Sequence, residues 1–364
     1  MGAGVVAVDD SEAMRRAIAL AWGGWGRVGR NPLVGALVVK DGVVVGEGFH
    51  AEFGGRHGEV AALEAAGTRA RGADLVVSLE PCAHYGKTPP CTDAIVAAGI
   101  RRVVFGAHDV DPKARGGAGV LRRAGVRVAP GVLEEDVQAQ NALFFHRFAG
   151  KKRPFVALKL AVSLDARIAD RTGRSQWVSG SAAREYAHWL RAGFDAIAVG
   201  AGTATADDPS LTVRGPVTPA LPPLRVVLDR RGEVPHTSQV VRTARDVPTL
   251  IVLGGEAPDA IRAALEAAGV EVAVADGLGA ALDELGRRGV ESVLIEGGGV
   301  LAGRLLKEGL VDRIYLISAP ILLGGDGVPA FAGVPGTAIA AVRRWRTVDR
   351  RTLGNDSLLV MDRP

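Results

Sequence analysis

Apolar and polar positions follow two periods along the chain, and their order predicts successive strands and helices. Short apolar runs rich in Val, Ile and Leu alternate with segments of helical spacing. The first part opens with a helix capped by Ser11, then a hairpin of 33–40 and 43–48 joined by Asp41-Gly42. Further strands are predicted over 74–79, 102–106 and 126–129, and helices over 57–66, 92–98, 120–124 and 133–148. This order is typical of a layered α/β domain.

A basic stretch rich in structure breakers, Gly150-Lys151-Lys152-Arg153-Pro154, separates this pattern from a second one. We therefore expect two domains, 1–149 and 150–364, which suits a chain of 364 residues. Strands are predicted over 155–161, 196–200, 224–228, 249–253, 272–275, 292–296 and 313–319, and helices over 180–191, 259–268, 279–287 and 300–308. The second part is therefore also α/β.

Composition narrows the class of protein. The chain is 48% hydrophobic and 23% charged, with no apolar run long enough for a transmembrane helix. Its net charge is +4, but the arginines are scattered and aromatic residues are few. We therefore expect no nucleic-acid and no membrane partner, and a mild attraction for phosphorylated small molecules. Two cysteines form no disulfide framework, which favours a reducing, cytoplasmic setting.

Both cysteines belong to one constellation. His57-Gly58-Glu59 is followed by Pro81-Cys82 and, after eight residues, by Cys91. One imidazole and two thiolates, His57, Cys82 and Cys91, are the ligand set of a catalytic zinc with an open position for water. In zinc deaminases the glutamate of H-x-E is a proton shuttle and not a ligand, so Glu59 is the predicted general acid and base. The predicted chemistry is hydrolytic removal of an exocyclic amine.

Other interpretations of these residues make different predictions. Each residue alone is more often a surface histidine or a buried, inert cysteine, and His84 could complete a purely structural zinc site. Deaminases that act on nucleic acids have P-C-x-x-C, whereas eight residues separate the cysteines here. The longer loop, which carries His84, Lys87 and Thr88, is expected to reach across the pocket mouth toward a small substrate.

In the second part, strand 292–296 leads into Gly297-Gly298-Gly299 and a helix. Such a turn lets backbone N–H groups approach a phosphate, although an ordinary tight turn is as common. The spacing is not G-x-G-x-x-G, which argues against a classical dehydrogenase fold.

The motifs together resemble a known family. P-C-x-H-x-G-K-T-P-P-C, with Asn31-Pro32-Leu33-Val34-Gly35 upstream, resembles the deaminase half of the bifunctional riboflavin-biosynthesis deaminase/reductases. The segments 159–165, 175–177, 200–209, 211–214 and 296–299 resemble the reductase half. The resemblance implies a cytidine-deaminase-like three-layer domain followed by a dihydrofolate-reductase-like domain.

It also implies two consecutive reactions. The first is zinc-dependent deamination of 2,5-diamino-6-ribosylamino-4(3H)-pyrimidinone 5′-phosphate, and the second is NADPH-dependent reduction of the ribosyl chain to ribityl. We expect a homo-oligomer, either a dimer or a tetramer. The nucleotide-binding residues implied are Ala161, Trp177, Thr203, Asp207, Gly298, Gly299, Val300, Leu301, Ala302, Gly303 and Arg304. The substrate-binding residues implied are Asn31 in the first half and Ser175, Arg191, Leu211, Arg214 and Glu296 in the second. Either Lys159 or Asp207 is expected to protonate the sugar oxygen.

Two positions depart from the family pattern. Ala166 stands where S-L-D-G-[RK] has glycine, and a positive φ there would strain alanine. Arg230 stands where a small residue is usual, and we hypothesise that Arg230 or Arg231 binds the NADPH 2′-phosphate. Ala166 also keeps open an alternative, a monofunctional deaminase with a degenerate reductase-like binding domain. The retained Asp207, Arg214 and Glu296 argue against it.

Overall fold

A computed structural model describes residues 8–86 and 88–363 of the chain. The chain divides into two compact units, residues 1–149 and 150–364. Each unit has its own sheet and its own apolar core.

The sheet of the first unit has the strand order β2-β1-β3-β4-β5. Its strands are β1 (Gly35–Lys40), β2 (Val43–Phe49), β3 (Asp74–Leu79), β4 (Arg102–Ala107) and β5 (Arg127–Pro130). β1 is antiparallel to β2 and to β3, whereas β3, β4 and β5 are parallel. Asp41 and Gly42 at the hairpin turn both have positive φ, 49° and 78°, as a tight two-residue hairpin requires.

The helices of the first unit are α1 (Asp10–Ala21), α2 (Gly58–Ala66), α3 (Cys91–Ala97), α4 (Gly117–Arg123), α5 (Glu134–Gln140) and α6 (Ala142–Arg147). The predicted Ser11 cap is wrong, because Asp9 caps α1 by accepting a hydrogen bond from Glu12 N at 2.7 Å. The single helix predicted over 133–148 is also wrong. It is interrupted at Asn141, whose side chain binds both the N–H and the C=O of Leu33.

The main sheet of the second unit has the order β11-β10-β9-β8-β12-β6-β13-β16-β15. Its strands are β6 (Phe155–Val162), β8 (Ala196–Gly200), β9 (Leu224–Leu228), β10 (Thr249–Leu253), β11 (Glu271–Val274), β12 (Ser292–Glu296), β13 (Arg313–Ser318), β15 (Arg346–Leu353) and β16 (Asp356–Asp362). The short strands β7 (Arg167–Ala169) and β14 (Val328–Pro329) pair with each other. The hydrophobic pattern missed the β15–β16 hairpin, because β15 is a largely exposed and charged edge strand.

The helices of the second unit are α7 (Ser181–Arg191), α8 (Ala201–Asp207), α9 (Gln239–Arg242), α10 (Asp259–Ala267), α11 (Leu278–Arg287) and α12 (Gly299–Lys307). α8 and α9 were not predicted. α8 begins directly after β8, and α12 begins three residues after β12 ends, so both start at the carboxyl edge of the parallel strands. Ligands bind at this edge in open α/β sheets. Within the described ranges, no helix has the length and apolarity that crossing a membrane requires.

Candidate active sites

The three predicted zinc ligands lie together in the first unit. His57 Nδ1 is 3.2 Å from Cys91 Sγ and 3.6 Å from Cys82 Sγ, and all three ligand atoms lie within 4.8 Å of one another. Tetrahedral zinc, with bonds of about 2.0–2.3 Å, places its donors roughly 3.5–3.8 Å apart. The donor chemistry and spacing therefore fit zinc with three protein ligands.

Close packing of α2 on β2 positions His57 at the start of that helix. A Cβ on Gly46 would lie 2.4 Å from the Ala62 carbonyl oxygen, so only glycine allows this approach. His57 is the N-cap residue of α2, and Glu59 lies in its first turn. Cys91 is the first residue of α3.

Buried Glu80 holds the loop that carries Cys82. Its carboxylate accepts hydrogen bonds from Ala118 N at 2.9 Å and from His108 Nδ1 at 3.0 Å. A hydrogen bond between the two cysteine side chains lowers the pKa of Cys82, with a further contribution from His57, and raises the pKa of Cys91. Glu80 was not predicted as a site residue, although its place between β3 and Pro81-Cys82 was a usable signal.

Glu59 is nearly fully buried, with 3% of its surface exposed, beside the zinc ligands. Burial raises the pKa of Glu59 to about 7, against the opposing effect of His57. A carboxyl group balanced near neutrality can both accept and donate a proton, as general acid–base catalysis requires. Glu59 lines a cavity of about 290 Å³.

A histidine not identified from the sequence orients Asn31 in this cavity. His50 Nδ1 lies 2.9 Å from the carbonyl oxygen of Arg56, so this nitrogen carries the proton. Burial lowers the pKa of His50, so its Nε2 is a neutral acceptor for the Asn31 Nδ2 at 3.1 Å. The carbonyl oxygen of Asn31 is therefore left as an acceptor in this cavity.

The loop between the cysteines lines the same cavity. His84 and Thr88 are among the lining residues, and Thr88 Oγ1 is 3.5 Å from His57 Nε2. His84 is not part of the metal cluster of the described residues, so it supplies no fourth ligand in this arrangement. Lys87 lies outside the described residues. Other lining residues that the sequence analysis missed are Arg30, Asp109 and Asp111.

The second unit contains a cavity of about 1350 Å³ at the carboxyl edge of its parallel strands. The predicted residues that line it are Lys159, Ala161, Ser175, Trp177, Arg191, Thr203, Asp207, Leu211, Arg214, Arg230, Glu296, Gly298, Gly299, Val300, Leu301 and Arg304. Ala302 and Gly303 do not line it. Ala302 is fully buried in the core, and a Cβ on Gly303 would lie 1.9 Å from the Ala332 carbonyl oxygen.

The glycine turn after β12 has the shape of a phosphate cradle. Gly297 and Gly298 have φ values of 87° and 75°, and a Cβ on Gly298 would lie 3.1 Å from Thr203 Oγ1. The first-turn N–H groups of α12 begin here, where an anion is favoured. The backbone N–H groups of this turn fit the pyrophosphate of NADPH.

Arg191, Glu296 and Lys159 form a partly buried charged group that lines the cavity. Arg191 binds Glu296 through two hydrogen bonds of 2.6 and 2.9 Å. Burial by itself would raise the pKa of Glu296, but Arg191 holds it at about 2. Burial lowers the pKa of Lys159. The resemblance led us to expect two arginines at the substrate phosphate, but a carboxylate already occupies the fork of Arg191.

The other predicted substrate residues differ in what they offer. The Ser175 hydroxyl donates to Asp207 Oδ1 at 2.9 Å. The Leu211 side chain packs in the core, with 2% exposed, so only its backbone can face a ligand. Arg184, which was not predicted, lies 4.6 Å from the centre of the exposed Trp177 ring.

The two arginines after Asp229 differ in their partners. Arg231 Nη1 lies 3.3 Å from the Glu233 carboxylate. Arg230 is exposed on the cavity wall, and it has no acidic partner in the part of the chain that the structure describes. The free guanidinium of Arg230 is therefore the better candidate for an added anion.

Comparisons with known proteins agree with this architecture. Residues 7–107 match the family described as "Cytidine and deoxycytidylate deaminase zinc-binding region" and residues 154–359 match "RibD C-terminal domain". Riboflavin biosynthesis protein RibD of Bacillus amyloliquefaciens is 41% identical over 87% of this chain and 86% of its own length. The RibD of Escherichia coli is 36% identical over 97% of this chain and 99% of its own.

Solved structures match the whole chain as well. The crystal structure of a diaminohydroxyphosphoribosylaminopyrimidine deaminase/5-amino-6-(5-phosphoribosylamino)uracil reductase from Thermotoga maritima is 37% identical, with a TM-score of 0.79. The aligned region covers 98% of this chain and 99% of the Thermotoga maritima chain. A RibD structure from Acinetobacter baumannii is 36% identical over 97% and 98% of the two chains, with a TM-score of 0.78.

These matches confirm the predicted fold class, a cytidine-deaminase-like domain followed by a dihydrofolate-reductase-like domain. They also confirm an enzyme with zinc as metal and NADPH as reductant, and they favour bifunctionality over the monofunctional alternative. The chain belongs to the RibD family of bifunctional riboflavin-biosynthesis deaminases and reductases.

Proposed function

We propose that the first unit deaminates 2,5-diamino-6-ribosylamino-4(3H)-pyrimidinone 5′-phosphate and that the second reduces the ribosyl chain of the product to ribityl. The observation that carries the first half is the burial of Glu59 in one cavity with His57 and Cys82, which together with Cys91 form the metal cluster. The Thermotoga maritima relative is a diaminohydroxyphosphoribosylaminopyrimidine deaminase and 5-amino-6-(5-phosphoribosylamino)uracil reductase, which supports the choice of substrate.

In this proposal His57, Cys82 and Cys91 hold zinc, which supplies a Lewis acid that lowers the pKa of a water. Glu59 would take a proton from that water and pass it to the ring nitrogen, and would then carry a second proton, from the hydroxyl left on the ring carbon, to the amino group, which departs as ammonia. The Asn31 carbonyl oxygen accepts a hydrogen bond from the pyrimidine. Its orientation by His50 supports this role, because the substrate carries amino N–H groups.

A Glu59→Gln variant tests the first half. It should keep its zinc and lose ammonia release by roughly 10²–10⁴-fold, since the shuttle is removed while the ligands remain. The matched control is Glu64→Gln on the exposed face of the same helix. Undiminished ammonia release from zinc-loaded Glu59→Gln protein would remove Glu59 from the mechanism.

For the second half, we propose Lys159 as the group that protonates the sugar oxygen as NADPH supplies hydride to the adjacent carbon. Lys159 is partly buried and lines the cavity, and its lowered pKa favours proton release. The Asp207 carboxylate instead accepts a hydrogen bond from Ser175, which suits a binding role. Lys159→Gln should therefore abolish NADPH oxidation, whereas Asp207→Asn should mainly raise the KM. The reverse pattern would make Asp207 the donor.

We also propose that Arg230 binds the 2′-phosphate of NADPH. Its exposed, unpaired guanidinium at the end of β9 supports this assignment, since guanidinium binds phosphate through two hydrogen bonds. Arg231, which is paired with Glu233, is the natural control.

The setting of the enzyme is a further part of the proposal. Two free cysteine thiols suit a reducing cytoplasm. Exposed apolar side chains on the second unit, such as Ile339 and Leu322, support a homo-oligomer, either a dimer or a tetramer. Light scattering of the purified chain would decide, and a monomeric mass at micromolar concentration would refute assembly.

A further inference from the structure

The segment that carries Arg214 is anchored to the body of the second unit at several points. The Leu211 side chain is buried in the core. The Thr212 carbonyl oxygen accepts from Arg191 Nη1 at 2.8 Å, and the Ser210 carbonyl oxygen accepts from Arg225 Nη1 at 3.3 Å. Arg214 itself is exposed on the cavity wall, so its direction depends on the anchor nearest to it.

That nearest anchor is a histidine. The backbone N–H of Arg214 donates to His188 Nδ1 at 3.2 Å. His188 lies three residues before Arg191 on α7, so the last turn of this helix presents both side chains to the same segment. His188 also lines the cavity, and neither the motifs nor the resemblance pointed to it.

The contact defines the protonation state of the imidazole. A backbone N–H can only donate, so Nδ1 must offer its lone pair. Protonation of His188 would place an N–H on both ring nitrogens and would turn Nδ1 from an acceptor into a donor facing another donor. Among the four anchors, His188 alone has an ordinary pKa near physiological pH.

The surroundings favour the neutral imidazole. Burial, and then the charges of Arg191 and Arg214, lower the pKa of His188 from its ordinary 6.5, with Lys159 adding to the effect and Glu296 opposing it. Glu296 is already bound by Arg191. The charged residues that line this cavity near His188 lie on α7, at the end of α8, in segment 208–214 and on strands β6 and β12. They are Arg184, Glu185, Arg191, Asp207, Asp208, Arg214, Lys159 and Glu296.

We propose that neutral His188 is a positioning residue that holds the Arg214 segment so that the Arg214 guanidinium meets the phosphate of the reductase substrate. The inference rests on the proposed reductase function. Because Arg191 is committed to Glu296, Arg214 is the cation of this pair that remains for the phosphate. His188 touches neither the reacting carbon nor the hydride in this proposal, and it acts through Arg214.

The test uses the full chain with its deaminated substrate, 5-amino-6-(5-phosphoribosylamino)uracil, and NADPH. In His188→Asn, the amide oxygen replaces Nδ1 at the same distance along the side chain but does not titrate. In His188→Leu no acceptor remains. His236→Asn is the matched control, since His236 is an exposed histidine of the same unit. For each protein, kcat, both KM values and circular dichroism are measured from about pH 8 to about pH 5.

The kcat/KM of each protein at each pH is divided by its own value at about pH 8. The substrate phosphate titrates in the same way in every assay, so its effect cancels when the profile of a variant is compared with that of the wild type. Between about pH 8 and about pH 5, we expect kcat/KM to fall roughly five-fold more in the wild type and in His236→Asn than in His188→Asn. The reason is that protonation of His188 removes its one hydrogen bond to the Arg214 N–H. His188→Leu should raise the KM for the pyrimidine, but not for NADPH, at every pH.

Superimposable profiles of His188→Asn and the wild type would overturn the inference while leaving the reductase function intact. Equal changes in both KM values of His188→Leu would also overturn it, because they would indicate a general structural role. A wild type that does not oxidise NADPH at about pH 8 would overturn the proposed function, and the inference with it.

Discussion

Replacing Ala166 by glycine should stabilise the second unit. Ala166 has φ 58°, in the left-handed region, where the family pattern has glycine. Its amide donates to the Ser163 carbonyl oxygen at 3.0 Å, and its carbonyl oxygen accepts from Ala330 N at 3.0 Å. The turn is therefore held in a conformation that alanine disfavours.

The size of the effect follows from two opposing contributions. The left-handed conformation costs an L-residue about 1–2 kcal/mol, which glycine avoids. Glycine also makes the unfolded chain more flexible, which costs about 0.4–1 kcal/mol. Because Ala166 is exposed, its methyl group contributes little apolar burial. We expect a net stabilisation of about 0.5–1 kcal/mol, or about 1–4 °C in the Tm of a unit this size.

Scanning calorimetry of the full chain would measure this shift. The transition of the second unit is identified as the one that NADP⁺ raises, since a ligand stabilises the fold that binds it. The control is Ala338→Gly, an exposed alanine with φ −60°, which should destabilise because there is no strain to relieve. If Ala166→Gly lowers the Tm as Ala338→Gly does, the strain argument is refuted.

Three further predictions concern the charged groups and the metal. In titration calorimetry, Arg230→Ala should bind 2′,5′-ADP about ten-fold more weakly than the wild type and should bind 5′-AMP equally well. Arg231→Ala should leave both affinities unchanged. Equal effects of the two variants would contradict the assignment to Arg230. Arg191 holds the pKa of Glu296 in the folded state at about 2, below its ordinary 4.5, so the pair stabilises the fold above about pH 4.5 and this stability is lost as pH falls toward 2. In urea titrations, the free energy of unfolding of Glu296→Gln should therefore fall less than that of the wild type over this pH window. Equal falls in both proteins would refute the linkage. A zinc chelator should abolish ammonia release while leaving NADPH oxidation on the deaminated substrate intact, and loss of both activities would show that the reductase also needs the metal.

The hydrophobic pattern predicted most elements that surround the two cavities, because strands buried in a sheet are continuous apolar runs. β3, β8, β10 and β12 were predicted over the residues that form them. The misses have local causes. α8 is only seven residues long and contains threonine and glycine, and β15 is a charged edge strand, so neither carries a strong period.

The sequence by itself predicted the three candidate zinc ligands, the candidate proton shuttle and the glycine turn. These groups are recognised by residue type and by spacing along one chain, and the chemistry of zinc permits few other donors. It also identified the departure at Ala166, although only the backbone shows the positive φ.

Only the tertiary structure decided which groups act on one another. Arg191 and Glu296 are 105 residues apart and His188 and Arg214 are 26 apart, yet each pair is in contact. Glu80 meets Ala118, and His50 orients Asn31, through folds of the chain that no local spacing encodes. Because hydrogen bonds and pKa shifts depend on distance and burial, the folded chain alone determines whether an arginine binds a phosphate or a neighbouring carboxylate.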